Sequence, residues 1–273
     1  MTVVAALQMV SGPDIEANLQ TAERLISQAA AAGAQLVVLP ENFALMGIKE
    51  TDKLAAQELE GDGPIQAFLA SQAIHHQLWL VGGTLPLAVQ AANKVRAACL
   101  LFDPQGRLAA RYDKIHLFDV QVVGSQESYR ESATIEPGHR PVVAATPFGR
   151  LGLAVCYDLR FPELFRALLD QDMEILALPA AFTAITGRAH WETLLRARAI
   201  ENLCYVIASA QGGWHANGRE TYGDSMVIDP WGVILERLAS GPGVVLACLD
   251  RHRLQTVRQQ FPALSHRRLQ RQL

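Results

Sequence analysis

The sequence predicts an α/β fold made of two related halves, with two sheets carrying helices on their outer faces. Three observations predict it. Strand-like and helix-like runs alternate along all 273 residues. Two hairpins share the turn Asp-Pro-x-Gly, at Asp103–Gly106 and Asp229–Gly232. A short repeat sets Leu36-Val37-Val38-Leu39-Pro40-Glu41-Asn42-Phe43 beside Ile175-Leu176-Ala177-Leu178-Pro179-Ala180-Ala181-Phe182. Each copy is preceded by a strand and a helix, and followed by a helix, a strand and one of the hairpins.

The elements follow in order. Val3–Met9 is an apolar first strand, and Ile15–Ala32 has apolar residues at helical spacing up to Gly33, a helix stop. Leu36–Leu39 is short and wholly apolar, as in a strand covered on both faces. Pro64–Gln77 reads as a helix and Leu78–Leu85 as a strand. Ala98–Asp103 turns into Leu108–Tyr112, and Ser225–Asp229 into Val233–Leu238, with Pro presetting each turn and Gly relaxing it. Leu151–Cys156 is a strand-like run that ends on a thiol, and Pro162 can open the helix beyond it. Arg188–Glu201 reads as a helix with Glu192 and Arg196 at i,i+4. The expected organisation is one domain over residues 1–273.

Composition narrows the function classes. The chain is half hydrophobic with a formal net charge of -3, ordinary for a globular enzyme and without a basic footprint for nucleic acid. The four cysteines lie far apart with no C-x-x-C pair, so no zinc or disulfide framework is visible. Cys99, Cys204 and Cys248 sit in apolar runs and read as small core residues. No apolar run is long enough to span a membrane, and Met1–Leu7 reads as a strand rather than a signal peptide. A cytoplasmic protein with reduced thiols is expected.

Cys156 stands on a strand-to-helix turn, where a sheet edge admits a ligand and backbone N–H groups favour a thiolate. A buried structural thiol is the plainer alternative. Glu41 sits at the carboxyl end of its strand, where the second copy has Ala180, so the fold itself does not require an acid there. That contrast favours a general base over a helix cap. Lys114, in Tyr112-Asp113-Lys114-Ile115-His116, lies after the first hairpin among apolar and aromatic residues, placed to stabilise an oxyanion. His116 is the alternative base. Glu131 and Glu136 are both candidates to hold the lysine, and spacing does not choose between them. Arg196, Arg198 and Glu201 read as a structural ion-pair network. By the repeat, Phe182–Gly187 is a candidate substrate loop near Glu41.

Leu-Pro-Glu41, Tyr-Asp-Lys114-Ile-His-Leu and Ala-Val-Cys156-Tyr-Asp-Leu-Arg-Phe-Pro-Glu resemble the Glu, Lys and Cys motifs of the nitrilase (carbon–nitrogen hydrolase) superfamily, in order and across nearly the whole chain. Ala181–Gly187, His190–Glu192, Leu194–Glu201 and Tyr222–Gly232 resemble its deaminated glutathione amidase branch. The resemblance implies a four-layer α-β-β-α sandwich and a homodimer that stacks two of them. It implies a Glu41, Lys114 and Cys156 triad, with Glu131 chosen over Glu136 as the second glutamate. The implied reaction hydrolyses the carboxamide of a linear amide, here deaminated glutathione, to carboxylate and ammonia through a cysteine thioester. The backbone N–H of Tyr157 joins Lys114 as an oxyanion donor. No metal or cofactor is implied, and the only partner besides a second copy is a small-molecule amide. Arg130, Arg160, Arg188 and Arg219 are candidate readers of its carboxylates. The expected substrate-binding set is Phe182, Thr183, Arg188 and Arg130, with Arg160 open to a structural role. The alternatives are an ω-amidase acting on 2-oxoglutaramate or a similar monoamide, a nitrilase proper, and a non-catalytic binding protein on the same fold.

Overall fold

The computed structural model describes residues 1–91, 93–124 and 126–269. Two sheets face each other. The first runs Gly243–Leu249, Thr2–Gln8, Leu36–Val38, Trp79–Val81, Val95–Phe102 and Leu85–Ala88, with Leu108–Asp113 also paired to Val95–Phe102. The second runs Ile234–Leu238, Ser225–Ile228, Tyr205–Ala210, Ile175–Ala180, Gly149–Leu153 and Val142–Thr146. In each sheet the centre is a parallel trio, Thr2–Gln8, Leu36–Val38 and Trp79–Val81 in the first, and Gly149–Leu153, Ile175–Ala180 and Tyr205–Ala210 in the second. The middle strand of each trio carries one copy of the Leu-Pro repeat.

The layering follows from strand alternation. Along the first strand, Val4 and Ala6 face the second sheet and join its core. Ala5 and Leu7 face outward, onto Leu25, Ile26 and Ala29 of helix Ile15–Ala31 and Ile65 and Leu69 of helix Pro64–His76. Helices Pro162–Leu169 and Ala184–Asn202 cover the second sheet with Leu164, Phe165, Leu168, Trp191 and Leu195. The result is the α-β-β-α sandwich. Burying each such aliphatic side chain is worth about 1.5–3 kcal/mol, which is why both faces of both sheets must be covered.

Three elements depart from the sequence expectation, each for a local reason. Leu78–Leu85 is not one strand. It breaks at Gly82-Gly83, because Gly83 sits at φ +53 with the Pro40 carbonyl where a Cβ would be. The break turns Thr84 back toward Glu41, and Leu85–Ala88 starts a hairpin with Val95–Phe102. The run ending at Cys156 is paired only over Gly149–Leu153; Cys156–Arg160 forms a 3₁₀ turn before the helix that Pro162 opens. Helix Ala184–Asn202 begins four residues earlier than expected, since the Thr183 side chain accepts from the Thr186 N–H and caps it. The expected substrate loop is thereby mostly helix.

Candidate active site

The carboxyl ends of parallel strands are where an α/β sheet presents side chains to ligands, and both trios deliver a group to one cavity. Leu36–Val38 leads through Pro40 to Glu41, while Gly149–Leu153 leads to Cys156. Leu108–Asp113 ends beside Lys114. The cavity, of about 120 Å³, is lined by Glu41, Lys114, Glu131 and Cys156 together.

Lys114 is the hub. Its Nζ donates to Glu41 Oε1 at 2.7 Å and to both oxygens of Glu131 at 2.9 Å. Burial disfavours an ammonium, but Glu131, Glu41 and the adjacent Cys156 outweigh it and hold Lys114 well above its ordinary value. Burial likewise opposes charge on Glu131, yet Lys114, Lys53 and the Phe118 N–H bring its carboxyl below the usual range. That N–H donates to Glu131 at 2.7 Å. Glu136 is absent from the cavity wall and pairs with Arg96 instead, so geometry selects the glutamate that spacing left open. Glu41 is fixed from behind: Gln211 Nε2 donates to its carbonyl at 3.1 Å, and the Asn42 N–H donates to Thr84 Oγ1 at 2.9 Å.

Cys156 is 6 % exposed and has φ 49, a left-handed conformation uncommon outside glycine. The Ala181 N–H points at its Sγ, 3.5 Å away. The sequence favoured a thiolate here. Burial and the charge of the neighbouring Glu41 carboxylate instead push its pKa well up, against Lys114 and the Ala181 N–H. The helix that was to favour the anion starts only at Pro162.

Asp158 was missed as a functional residue by sequence reasoning, though it stands inside the quoted motif. Fully buried, it accepts from Tyr112 OH at 2.7 Å, the Val155 N–H at 2.8 Å and the His116 N–H at 3.0 Å, and meets His116 Nδ1 at 2.7 Å. It thus ties the cysteine turn to the lysine loop. His116 is occupied by that bond and by stacking on Phe161 at 3.8 Å, and it is not on the cavity wall.

The other expected residues divide. Phe182 and Tyr157 line the cavity. Thr183 is fully buried and serves the helix cap. Arg188 projects outward, 3.7 Å from Glu220, and Arg130 is likewise off the wall; Arg160 and Arg219 line it instead. Helix geometry explains Arg188: with Ala184–Asn202 starting at Thr183, Thr186 faces the cavity and Arg188 does not. Arg198 keeps the structural role read from sequence, pairing with Glu201 at 2.7 Å and donating to the Leu159 carbonyl behind the cysteine turn.

A buried thiol, a carboxylate and a carboxylate-held ammonium thus meet at the strand ends of an α-β-β-α sandwich, the arrangement of a carbon–nitrogen hydrolase. The chain belongs to the carbon-nitrogen hydrolase family, whose signature matches residues 3–259. It is therefore a hydrolase of carbon–nitrogen bonds other than peptide bonds. Deaminated glutathione amidase of Synechocystis is 48% identical over 268 residues, 97% of each chain. The Yersinia enterocolitica protein of that name is 44% identical over 97% of this chain and 92% of its own. Among solved structures, the Caenorhabditis elegans NitFhit protein superposes with a TM-score of 0.90 at 37% identity, over 98% of this chain and 65% of that one.

Proposed function

We propose that the protein is an amidase that hydrolyses deaminated glutathione through a thioester on Cys156. Relatives of that name, 44–48% identical over 97% of this chain, support the substrate. The observation that carries the mechanism is the lysine hub, an ammonium shared by Glu41 and Glu131 on the wall that also presents the buried thiol. A thiol whose pKa is pushed up needs a base, and the Glu41 carboxylate on the same cavity wall is near enough to raise it by its charge. Glu41 takes the thiol proton as sulfur attacks the amide carbonyl. Lys114 and the Tyr157 N–H stabilise the oxyanion. Glu41 passes its proton to the departing amine, giving the thioester. It then takes a proton from water as the water attacks, and sulfur leaves to be reprotonated. Glu131 keeps Lys114 charged and in place, and accepts from the substrate amide N–H.

On a primary carboxamide the leaving group is ammonia. On deaminated glutathione the amide nitrogen carries cysteinylglycine, so that reaction yields 2-oxoglutarate and the dipeptide. The relatives' names favour this substrate over the ω-amidase alternative. The cytoplasmic setting and the homodimer belong to the same reading. The half-exposed Trp231 and Phe261, which pack edge to face at 5.3 Å, suit a covered surface.

The test follows 2-oxoglutarate release. Cys156→Ala abolishes it while the thermal melt stays cooperative, and Glu41→Gln keeps a titratable thiol but lowers kcat at least 10³-fold, since the base is lost. Turnover by either variant at the wild-type rate rejects the mechanism.

A further inference from the structure

The cavity contains two guanidinium groups for which the chemistry at Cys156 has no use. Arg160 lies over Phe182 and Tyr157, its Cζ 5.1 and 5.9 Å from the ring centroids. Arg219 lies over Tyr129, 5.0 Å from the centroid. Several arginines elsewhere sit on carboxylates, such as Arg111 on Asp113 at 2.8 Å and Arg198 on Glu201 at 2.7 Å. Arg160 and Arg219 have no ion-pair partner of that kind among the described residues. Arg160 meets His190 Nδ1 at 3.1 Å, and Arg219 donates to the Ala181 carbonyl. The Nε of Arg219 is buried without a hydrogen-bond partner. A half-buried guanidinium with unused donors is costly unless an anion completes it.

Both touch the Ala181-Phe182 segment, but their other contacts differ. Arg160 belongs to the cysteine turn and Phe182. Arg219 rests on Tyr129, two residues before Glu131, whose carboxyl also feels Lys53. The Tyr129 ring is itself fixed by a 2.8 Å bond from its hydroxyl to Glu127. Glu131, Tyr129 and Arg219 all line the cavity, which sets Arg219 in reach of the substituent on an amide nitrogen whose N–H donates to Glu131.

We propose that Arg219 is the specificity residue for the leaving group, binding a carboxylate carried by the departing amine. The assignment rests on the amidase reading above and adds to it a second anion subsite. Deaminated glutathione fits two poles because its amide lies between an acyl-side carboxylate and the glycine carboxylate of the leaving dipeptide.

The test compares kcat/KM on deaminated glutathione with kcat/KM on the same compound carrying a C-terminal carboxamide. The wild-type protein prefers the acid at least 20-fold, mainly through KM. In Arg219→Gln that preference falls to within about threefold of unity. A wild-type protein indifferent to the carboxylate overturns the subsite without need of any variant. So does an Arg219→Gln protein that loses both activities equally, the result expected if Arg219 only braces Ala181. A wild-type protein inert on both compounds and on 2-oxoglutaramate overturns the amidase reading and the subsite with it.

Discussion

Lys114 between two carboxylates fixes how the site responds to acid. Its raised pKa gives stability that is complete below the ordinary lysine value of 10.5 and is lost only as pH rises through a still higher folded value. The lowered pKa of Glu131 gives stability that is present above its ordinary 4.5 and is lost as pH falls through a lower folded value. Within this pair, the acid window therefore belongs to Glu131. Glu131→Gln is expected to cost about 2 kcal/mol at pH 7, the scale of a hydrogen bond to a charged group, and to lose less than wild type between pH 5 and 3. Urea melts across that range measure it, and parallel losses in the two proteins would refute the assignment. The identity of this residue was half legible. Sequence gave two glutamates and motif resemblance chose one. The deciding contacts, Glu131 on Lys114 and the Phe118 N–H and Glu136 on Arg96, depend on how the loop after Ser128–Arg130 folds back, which no local spacing encodes.

At the scale of elements, the cysteine turn is held in an unfavourable backbone state by an ion sequence reading passed over. A left-handed non-glycine residue costs on the order of 1–3 kcal/mol and persists where surroundings over-determine it. Asp158 does so here, gripping the Val155 N–H on one side and Tyr112 and His116 on the other. Asp158→Asn keeps the shape but replaces one acceptor oxygen with a donor that faces donors. It is expected to cost about 3 kcal/mol, as for breaking a buried charged network, and to lower kcat per titratable thiol at least tenfold with little change in KM. Alkylation of Cys156 counts intact sites, so an unchanged kcat per site would reduce Asp158 to a purely structural role. The turn and the helix-opening proline around Cys156 were legible, since they rest on local patterning, but the strand's end at Leu153 was not. The break at Gly82-Gly83 was not, because its cause is the Pro40 carbonyl some forty residues away in sequence.

At the scale of the molecule, the site draws on both sheets, so its geometry is only as good as their seam. The repeat made the two halves legible, but not the way they are joined. The strand Gly243–Leu249 returns to pair with Thr2–Gln8 in the first sheet. Polar side chains then stitch the sheets where the strands emerge. Ser209 Oγ donates to the Leu7 carbonyl, and Gln8 accepts from the Ser225 N–H at 2.8 Å. Gln211 is the stitch that reaches the chemistry: it accepts from the Ser11 N–H at 3.0 Å and donates to Ser11 Oγ at 2.8 Å and to the Glu41 carbonyl at 3.1 Å. Methionine matches glutamine in volume but makes none of these bonds. Gln211→Met is therefore expected to strand the buried Ser11 N–H at a cost of about 1–3 kcal/mol, and to lower kcat as Glu41 loses its support, although residue 211 lies on the second half and Glu41 on the first. Thermal melts and steady-state rates on one preparation measure both effects. A variant that melts lower but keeps its kcat would mean that the seam holds the halves together without setting the position of Glu41.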